Sequence, residues 1–171
     1  TSRGLGDVYK RQALFCASFF NACLRNADDV TMANIACLVN QTGPLYVHPE
    51  GVVRRTHFHV MAMYANLLQP RVAGANVESD RITHGESSVA MVDAIATVDE
   101  TGENWAVAIM NRHPSETVLC TLKLGERLID GTYKATLLTG DAPGAFNDIA
   151  NPRRVVPKAT EGAFEAGAGG G

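Results

Sequence analysis

The chain has 171 residues, 46% hydrophobic and 19% charged, with a formal net charge of -3. That composition is ordinary for a globular protein and leaves room for one core or two partial ones. It offers no basic face for nucleic acid or an anionic membrane, and no apolar run approaches the ~20 residues of a membrane span.

Residues 1–12 (TSRGLGDVYKRQ) carry glycines and charges without periodicity. They resemble a translated sequencing-adapter remnant and are set aside from fold reasoning as non-native, so that the protein is expected to continue upstream of Ala13. No basic-then-apolar leader is present, which points to the cytoplasm; the chain does not begin with Met, and export stays open.

Ala13 to Ala27 reads as a helix with Phe15, Phe19 and Ala22 on one apolar stripe. Within the stretch ADDVTMANIACLVN (residues 27–40), Val30 to Ala36 is a short apolar run, bounded by Asp28-Asp29 and by Asn40-Gln41-Thr42-Gly43. Those flanks predict a strand buried on both faces. A loop from Asn40 to Arg55 follows. Thr56 is placed to cap a second helix, with Phe58, Met61, Ala62, Ala65 and Leu68 at helical spacing, and Pro70 ends it. Helix, strand and helix in that order form the repeat of a (β/α)8 barrel or a doubly wound sheet.

From Arg71 the pattern is all-β. Ser88 to Val98 turns through Asp99–Asn104 into Trp105 to Asn111, a hairpin. Val118 to Leu124 alternates as a half-buried strand should, and so does Tyr133 to Thr139 after the turn Asp130-Gly131. Gly140 to Pro157 is irregular, and the tail Glu161 to Gly171 ends in AGAGGG where a last strand is expected. The domains are therefore residues 1–12 (artefact), 13–70 (barrel end) and 71–171 (a truncated β-sandwich or jelly roll).

The chemistry-bearing residues are sparse. Cys16, Cys23, Cys37 and Cys120 fit no zinc spacing and read as buried free thiols. His57 and His59 at i and i+2 point to different helix faces, so with His48 they make no metal site. His84 and Ser87 lie in a loop without a G-x-S-x-G elbow, so a self-contained hydrolase is a weak reading. The glycines of Gly140-Asp141-Ala142-Pro143-Gly144 lack the Lys of a phosphate loop. No cofactor is implied. Trp105 reads as a core anchor. Asp28 and Asp29 lie at the N-terminal end of the predicted strand, where barrels keep stability rather than chemistry. The informative positions are then Asn34 to Asn40, at the opposite end: the rim of a site, without a catalytic set.

ALFCASFFNACLRNADDVTMANIACLVN, GPLYVHPEGVVRRTHFHVMAMYANLL, VAIMNRHPSETV and LLTGDAPGAFNDIANPRRVVP together resemble the C-terminal part of family 51 glycoside hydrolases, the α-L-arabinofuranosidases. The resemblance covers Ala13 to about Lys158. It implies the last helix–strand–helix of a (β/α)8 barrel followed by a jelly roll. The implied activity is retaining release of terminal, non-reducing-end arabinofuranosyl groups from arabinan or arabinoxylan. That reaction needs two carboxylates roughly 5 Å apart. The resemblance places both upstream of Ala13, so the chain alone is expected to be inactive. It also places a sugar-contacting glutamine at the position held here by Cys37, in a motif like A-Q-L-V-N, and a thiol cannot replace the amide's donor and acceptor. Substrate-site residues are thus Cys37, Asn34 and Asn40. Family relatives tend to form homo-oligomers. The alternative function is a non-catalytic carbohydrate-binding or assembly module on the β-sandwich.

Overall fold

The structure, a computed structural model, describes residues 5–125, 131–142 and 144–164. Its helices are α1 (Leu5–Arg25) and α2 (Thr56–Leu67). Its strands are β1 (Leu45–His48), β2 (Gly51–Arg54), β3 (Arg71–Ala73), β4 (Arg81–His84), β5 (Ser87–Ala90), β6 (Val92–Val98), β7 (Trp105–Asn111), β8 (Thr132–Leu137) and β9 (Lys158–Ala163). Every pairing between these strands is antiparallel: β1 with β2, β4 with β5, β8 with β9, and a three-stranded sheet in the order β3-β6-β7.

α1 begins eight residues before Ala13. Nothing from Asp7 to Gln12 interrupts a helix, and Lys, Arg and Gln are good helix formers, so the helix propagates through a segment that looked patternless. The buried face of α1 also differs from the Phe15–Phe19–Ala22 stripe. Phe15 is 71% exposed and Phe19 42%, their rings stacked at 6.5 Å on the outside. The face that goes in carries Ala13, Cys16, Ala17, Phe20 and Asn21, which also keep helical spacing. Cys16 and Ala17 meet Val60 of α2 and Met110 of β7, with Phe20, Ile35 and Tyr64 around them.

α2 matches its expected span, but Arg55 is the N-cap residue and Thr56 is already helical and buried. At the far end of α2, the amide of Gln69 donates to Thr97 Oγ1 (2.9 Å), tying the exit to β6. β6 is the most buried strand, with Ile95 and Thr97 at 2% and 1% exposure. The predicted β6–β7 hairpin forms: Val98 pairs with Trp105, and the Asp99 carboxylate gathers the amides of Glu103 and Asn104 and the Thr101 hydroxyl.

Several expected elements do not form. Residues 30–36 make no strand, and Val30, Met32, Leu38 and Val39 are all exposed, with Ile35 alone tucked inward. A strand buried on both faces needs a partner on each side, and the described residues supply none. Val118 to Lys123 likewise forms no strand, Leu124 makes only an isolated bridge, and Leu119 is almost wholly exposed: alternation without a pairing edge among the described residues does not make a strand. The loop between Asn40 and Arg55 instead contains the β1–β2 hairpin, closed at His48–Gly51 with Gly51 at φ 148°. Ser88 to Val98 is two strands broken at Met91, the first of which pairs back on β4. β9 runs into the first residues of the tail Glu161 to Gly171, whose residues 165–171, like Asp130, lie outside the described residues. Pro143 lies outside the described residues; the rest of the segment 140–157 is irregular as expected, and buried Asn147 organises it. Its amide donates to the carbonyls of Arg54 and Val155 (both 2.8 Å) and its oxygen accepts from the Val155 amide (2.7 Å).

Candidate functional site

Two polar clusters stand out. The first is the loop from Cys37 to Gly43. Cys37, Asn40 and Gln41 have φ of 60°, 58° and 35°, a left-handed backbone that non-glycine residues hold only when their surroundings force it. The forcing contacts come from the hairpin and from the start of α2. The Asn40 amide donates to Leu45 O (2.7 Å), the Leu45 amide to Leu38 O (3.2 Å) and the Gly43 amide to Asn40 O (2.6 Å). The Asn40 side-chain oxygen accepts from the Val47 amide (2.8 Å). Arg55, only 6% exposed, reaches back so that one guanidinium nitrogen donates to Gln41 O (2.6 Å), Gly43 O (2.9 Å) and, more weakly, Asn40 O (3.4 Å). The guanidinium lies 5.2 Å from the centre of the Tyr46 ring.

Cys37 and Asn40 therefore share one tightly held loop, and Asn34 sits apart, exposed in the irregular run before it. The Cys37 thiol is exposed and 3.5 Å from Gln41 Oε1. Asn40 is engaged in holding the hairpin, so its amide oxygen is taken. Cys120 is also exposed and Cys23 half-buried, so of the four free thiols Cys16 alone is buried as expected. Burial raises its thiol above the ordinary range.

His57 and His59 are buried at the start of α2, 3% and 8% exposed. Neither ring nitrogen of His57 finds a well-formed hydrogen bond, although the backbone of Thr42 and Gly43 lies near enough to favour its proton. Burial and then the Arg55 charge hold His57 below its usual range; burial and then Arg54 do the same for His59. Both are neutral near pH 7. Among the described residues, no group of three His, Cys, Asp or Glu side chains has metal-binding geometry.

The second cluster joins α1, α2 and the three-stranded sheet, and sequence reasoning missed it. Asp93 of β6, side chain 8% exposed, accepts from Asn21 Nδ2 (3.1 Å), from Arg25 and from Arg112 (2.9 Å). Tyr64 donates to Asn21 Oδ1 (2.6 Å), and Arg112 also donates to Ala90 O (3.1 Å). Burial pushes the Asp93 carboxyl up, but the bonds from Asn21 and Arg25 and the two guanidinium charges outweigh it and hold it below the usual range. Burial and then the Asp93 charge raise the Tyr64 phenol. The signal was present: one aspartate inside VDAIATV, and an asparagine on the buried face of α1.

His84, Ser87 and Trp105 shape turns. His84 and Ser87 face each other across the tight β4–β5 turn, with Gly85 at φ 58°. Trp105 is 37% exposed rather than a core anchor, and its indole N–H donates to Gly102 O (3.0 Å), locking the β6–β7 turn.

Fold and clusters define a mostly-β domain of antiparallel hairpins, carrying a two-helix layer whose outer apolar face is uncovered. Its buried residues lie mainly on α1, α2 and β6, and the left-handed Cys37–Gly43 loop lies beside the start of α2. The chain belongs to the α-L-arabinofuranosidase C-terminal domain family, whose model matches residues 2–170. It is 31% identical over 170 residues to the intracellular exo-α-(1→5)-L-arabinofuranosidase of Streptomyces lividans, covering 94% of this chain and 24% of that protein. It is 30% identical over 162 residues to the exo-α-(1→6)-L-arabinofuranosidase of Bifidobacterium longum, covering 90% of this chain and 30% of that protein. The GH51 arabinofuranosidase from Xanthomonas axonopodis pv. citri has the same fold over 92% of this chain and 32% of its own, with a TM-score of 0.75 at 24% identity. The chain thus spans a third or less of each of these relatives.

Proposed function

We propose that this chain is the C-terminal support domain of a retaining α-L-arabinofuranosidase that releases terminal arabinofuranosyl groups from arabinan or arabinoxylan. The observation that carries this reading is the family match over residues 2–170. The two carboxylates of the retaining mechanism belong, on this reading, to parts of the enzyme other than this chain, which is inactive alone. α1, the run 30–36 and α2 are then the last helix–strand–helix of the (β/α)8 barrel, and the β-hairpins are the jelly roll. The uncovered apolar face agrees: Phe15, Phe19, Met32 and Leu38 are where neighbouring barrel elements would pack, and the run 30–36 becomes a strand once it has partners.

On this reading Asn34, Cys37 and Asn40 lie toward the carboxyl end of that strand, with the exposed Cys37 thiol on the sugar side and Asn40 holding the hairpin beside it. A thiol there gives up the amide's paired donor and acceptor, which weakens polar recognition of the sugar. Four free thiols and an intracellular-named relative favour a cytoplasmic setting. The test is to purify the 171-residue chain and measure hydrolysis of 4-nitrophenyl α-L-arabinofuranoside together with binding of an apolar-surface dye. The expected result is no turnover and strong dye binding. Turnover by the chain, or a dye-free monomer, overturns the reading.

A further inference from the structure

We infer that Arg55 is the positioning residue of the sugar-site loop, setting from the start of α2 the backbone conformation in which Cys37 is presented. This inference rests on the reading above, which puts that loop at the substrate.

The loop cannot hold itself. Three non-glycine residues within 37–41 are left-handed, and each prefers other backbone regions unless its surroundings compel it. The hairpin fixes the outer end, through Leu45 to Leu38 and Asn40 and through Val47 to the Asn40 side chain. On the inner end, the carbonyls of Gln41 and Gly43 are turned inward and need donors. Arg55 supplies them from one nitrogen, while its own backbone amide donates to Pro44 O (2.9 Å). The loop is thus gripped twice by one residue, by the side chain at 41–43 and by the main chain at 44. The Tyr46 ring beneath the guanidinium restricts where the fork can lie. Gly43 shows how close the fit is: a Cβ there would sit 2.3 Å from Cys37 O and 2.7 Å from the carbonyl carbon of Leu38. The chain folds back on itself at Gly43, and Arg55 holds the fold closed.

A lysine is not an equivalent. Its ammonium keeps the charge but sits nearer the backbone than the donating guanidinium nitrogen and has no planar face, so it cannot reach the same carbonyls while stacking on Tyr46. Loss of the grip should let 37–43 relax toward ordinary backbone conformations and move Cys37. A displacement of about 1 Å at a substrate-positioning group can cost on the order of 100-fold in rate.

The experiment uses the full-length enzyme carrying this chain, with Arg55→Lys, Tyr46→Phe and, as a control for stability, Asn21→Ala in the distant Asp93 cluster. Each variant is assayed well below its own melting temperature for kcat/KM and for inhibition by arabinose, and amide exchange is followed at Asn40, Gly43, Leu45 and Val47. We expect Arg55→Lys to lower kcat/KM by about 10- to 100-fold, weaken arabinose inhibition and speed exchange at those amides. Tyr46→Phe, which keeps the ring, should leave all three near wild type, and Asn21→Ala should lower the melting temperature with kcat/KM unchanged. If Arg55→Lys matches Asn21→Ala, losing stability with kcat/KM and inhibition intact, the positioning role is wrong. If wild type has no arabinofuranosidase activity, the underlying reading fails instead, and faster exchange in Arg55→Lys would no longer bear on a sugar site.

Discussion

Asp93→Ala is the most informative single perturbation of the fold. The carboxylate is nearly buried and is the common acceptor for Asn21 and Arg25 of α1 and for Arg112, the residue just after β7. Charge-assisted hydrogen bonds contribute about 1.5–3 kcal/mol each, and removing one partner of a buried ion pair costs about 3–5 kcal/mol. Two features reduce that figure here. The Arg25 side chain is 42% exposed and Arg112 23%, so water can take over part of their solvation. Asn21, at 0% exposure, has no such recourse, although it keeps its bond from Tyr64. The net loss should be about 3 kcal/mol, a fall in melting temperature of about 6–12 °C for a chain of this size. Urea unfolding of the purified chain, followed by circular dichroism, measures it. A double-mutant cycle with Asn21→Ala should show coupling of about 1 kcal/mol or more, since the two share a bond. A loss below about 1 kcal/mol with no coupling would mean that α1 is held on the sheet by apolar contact alone, and the account of this cluster would be wrong.

Asn147→Ala should cost about 2–4 kcal/mol by the same measurement, because it orphans the Val155 amide and two carbonyls in a segment with no regular structure to replace them. Gly43→Ala should destabilise by about 2–3 kcal/mol and disturb the Cys37 loop, since the added carbon would overlap backbone that cannot swing aside; a neutral outcome would show that the loop is looser than described. Stability should also fall on mild acidification. His57 and His59 have folded values below the ordinary 6.5, so the unfolded chain takes up protons first. Their contribution is complete above about pH 6.5 and lost as pH falls toward the folded values, at up to about 1.4 kcal/mol per pH unit for each histidine. Asp93 adds a separate loss only below its ordinary 3.8, because its folded value is depressed. Urea midpoints at pH 7.5 and 5.5 should differ in wild type and differ less in His57→Gln.

What could be read from the sequence was what is encoded locally. α2 was legible because its apolar residues repeat at helical spacing between two clear ends. The β6–β7 hairpin was legible because Asp99 to Asn104 carries the polar turn residues such a connection needs. Misreadings arose where a pattern depends on distant partners. Residues 30–36 have a strand's composition, but a strand exists only with a neighbour to bond. Val118 to Leu124 fails for the same reason. β9 was missed from the opposite cause: KATEGA is small and polar, exposed at five of its six positions, and its pairing with β8 leaves no hydrophobic trace. The α1 stripe was ambiguous, since two faces of that helix carry apolar residues and only the packed structure shows which is inside. The sequence singled out Cys37 and Asn40, which the structure puts in one tightly held loop, while the supports of that loop were not legible. Arg55 was only the last residue of the loop before α2, and nothing local indicates that its side chain turns back 12 to 15 residues to close a loop.

The most direct measurement is the hydrolysis of 4-nitrophenyl α-L-arabinofuranoside by the full-length enzyme with and without residues 13–164 of this chain. The account predicts turnover by the intact enzyme, none by the deleted form, and none by this chain alone, with partial recovery when the two pieces are mixed. Full activity in the deleted form would contradict it, because the domain would then support neither the barrel nor the sugar site.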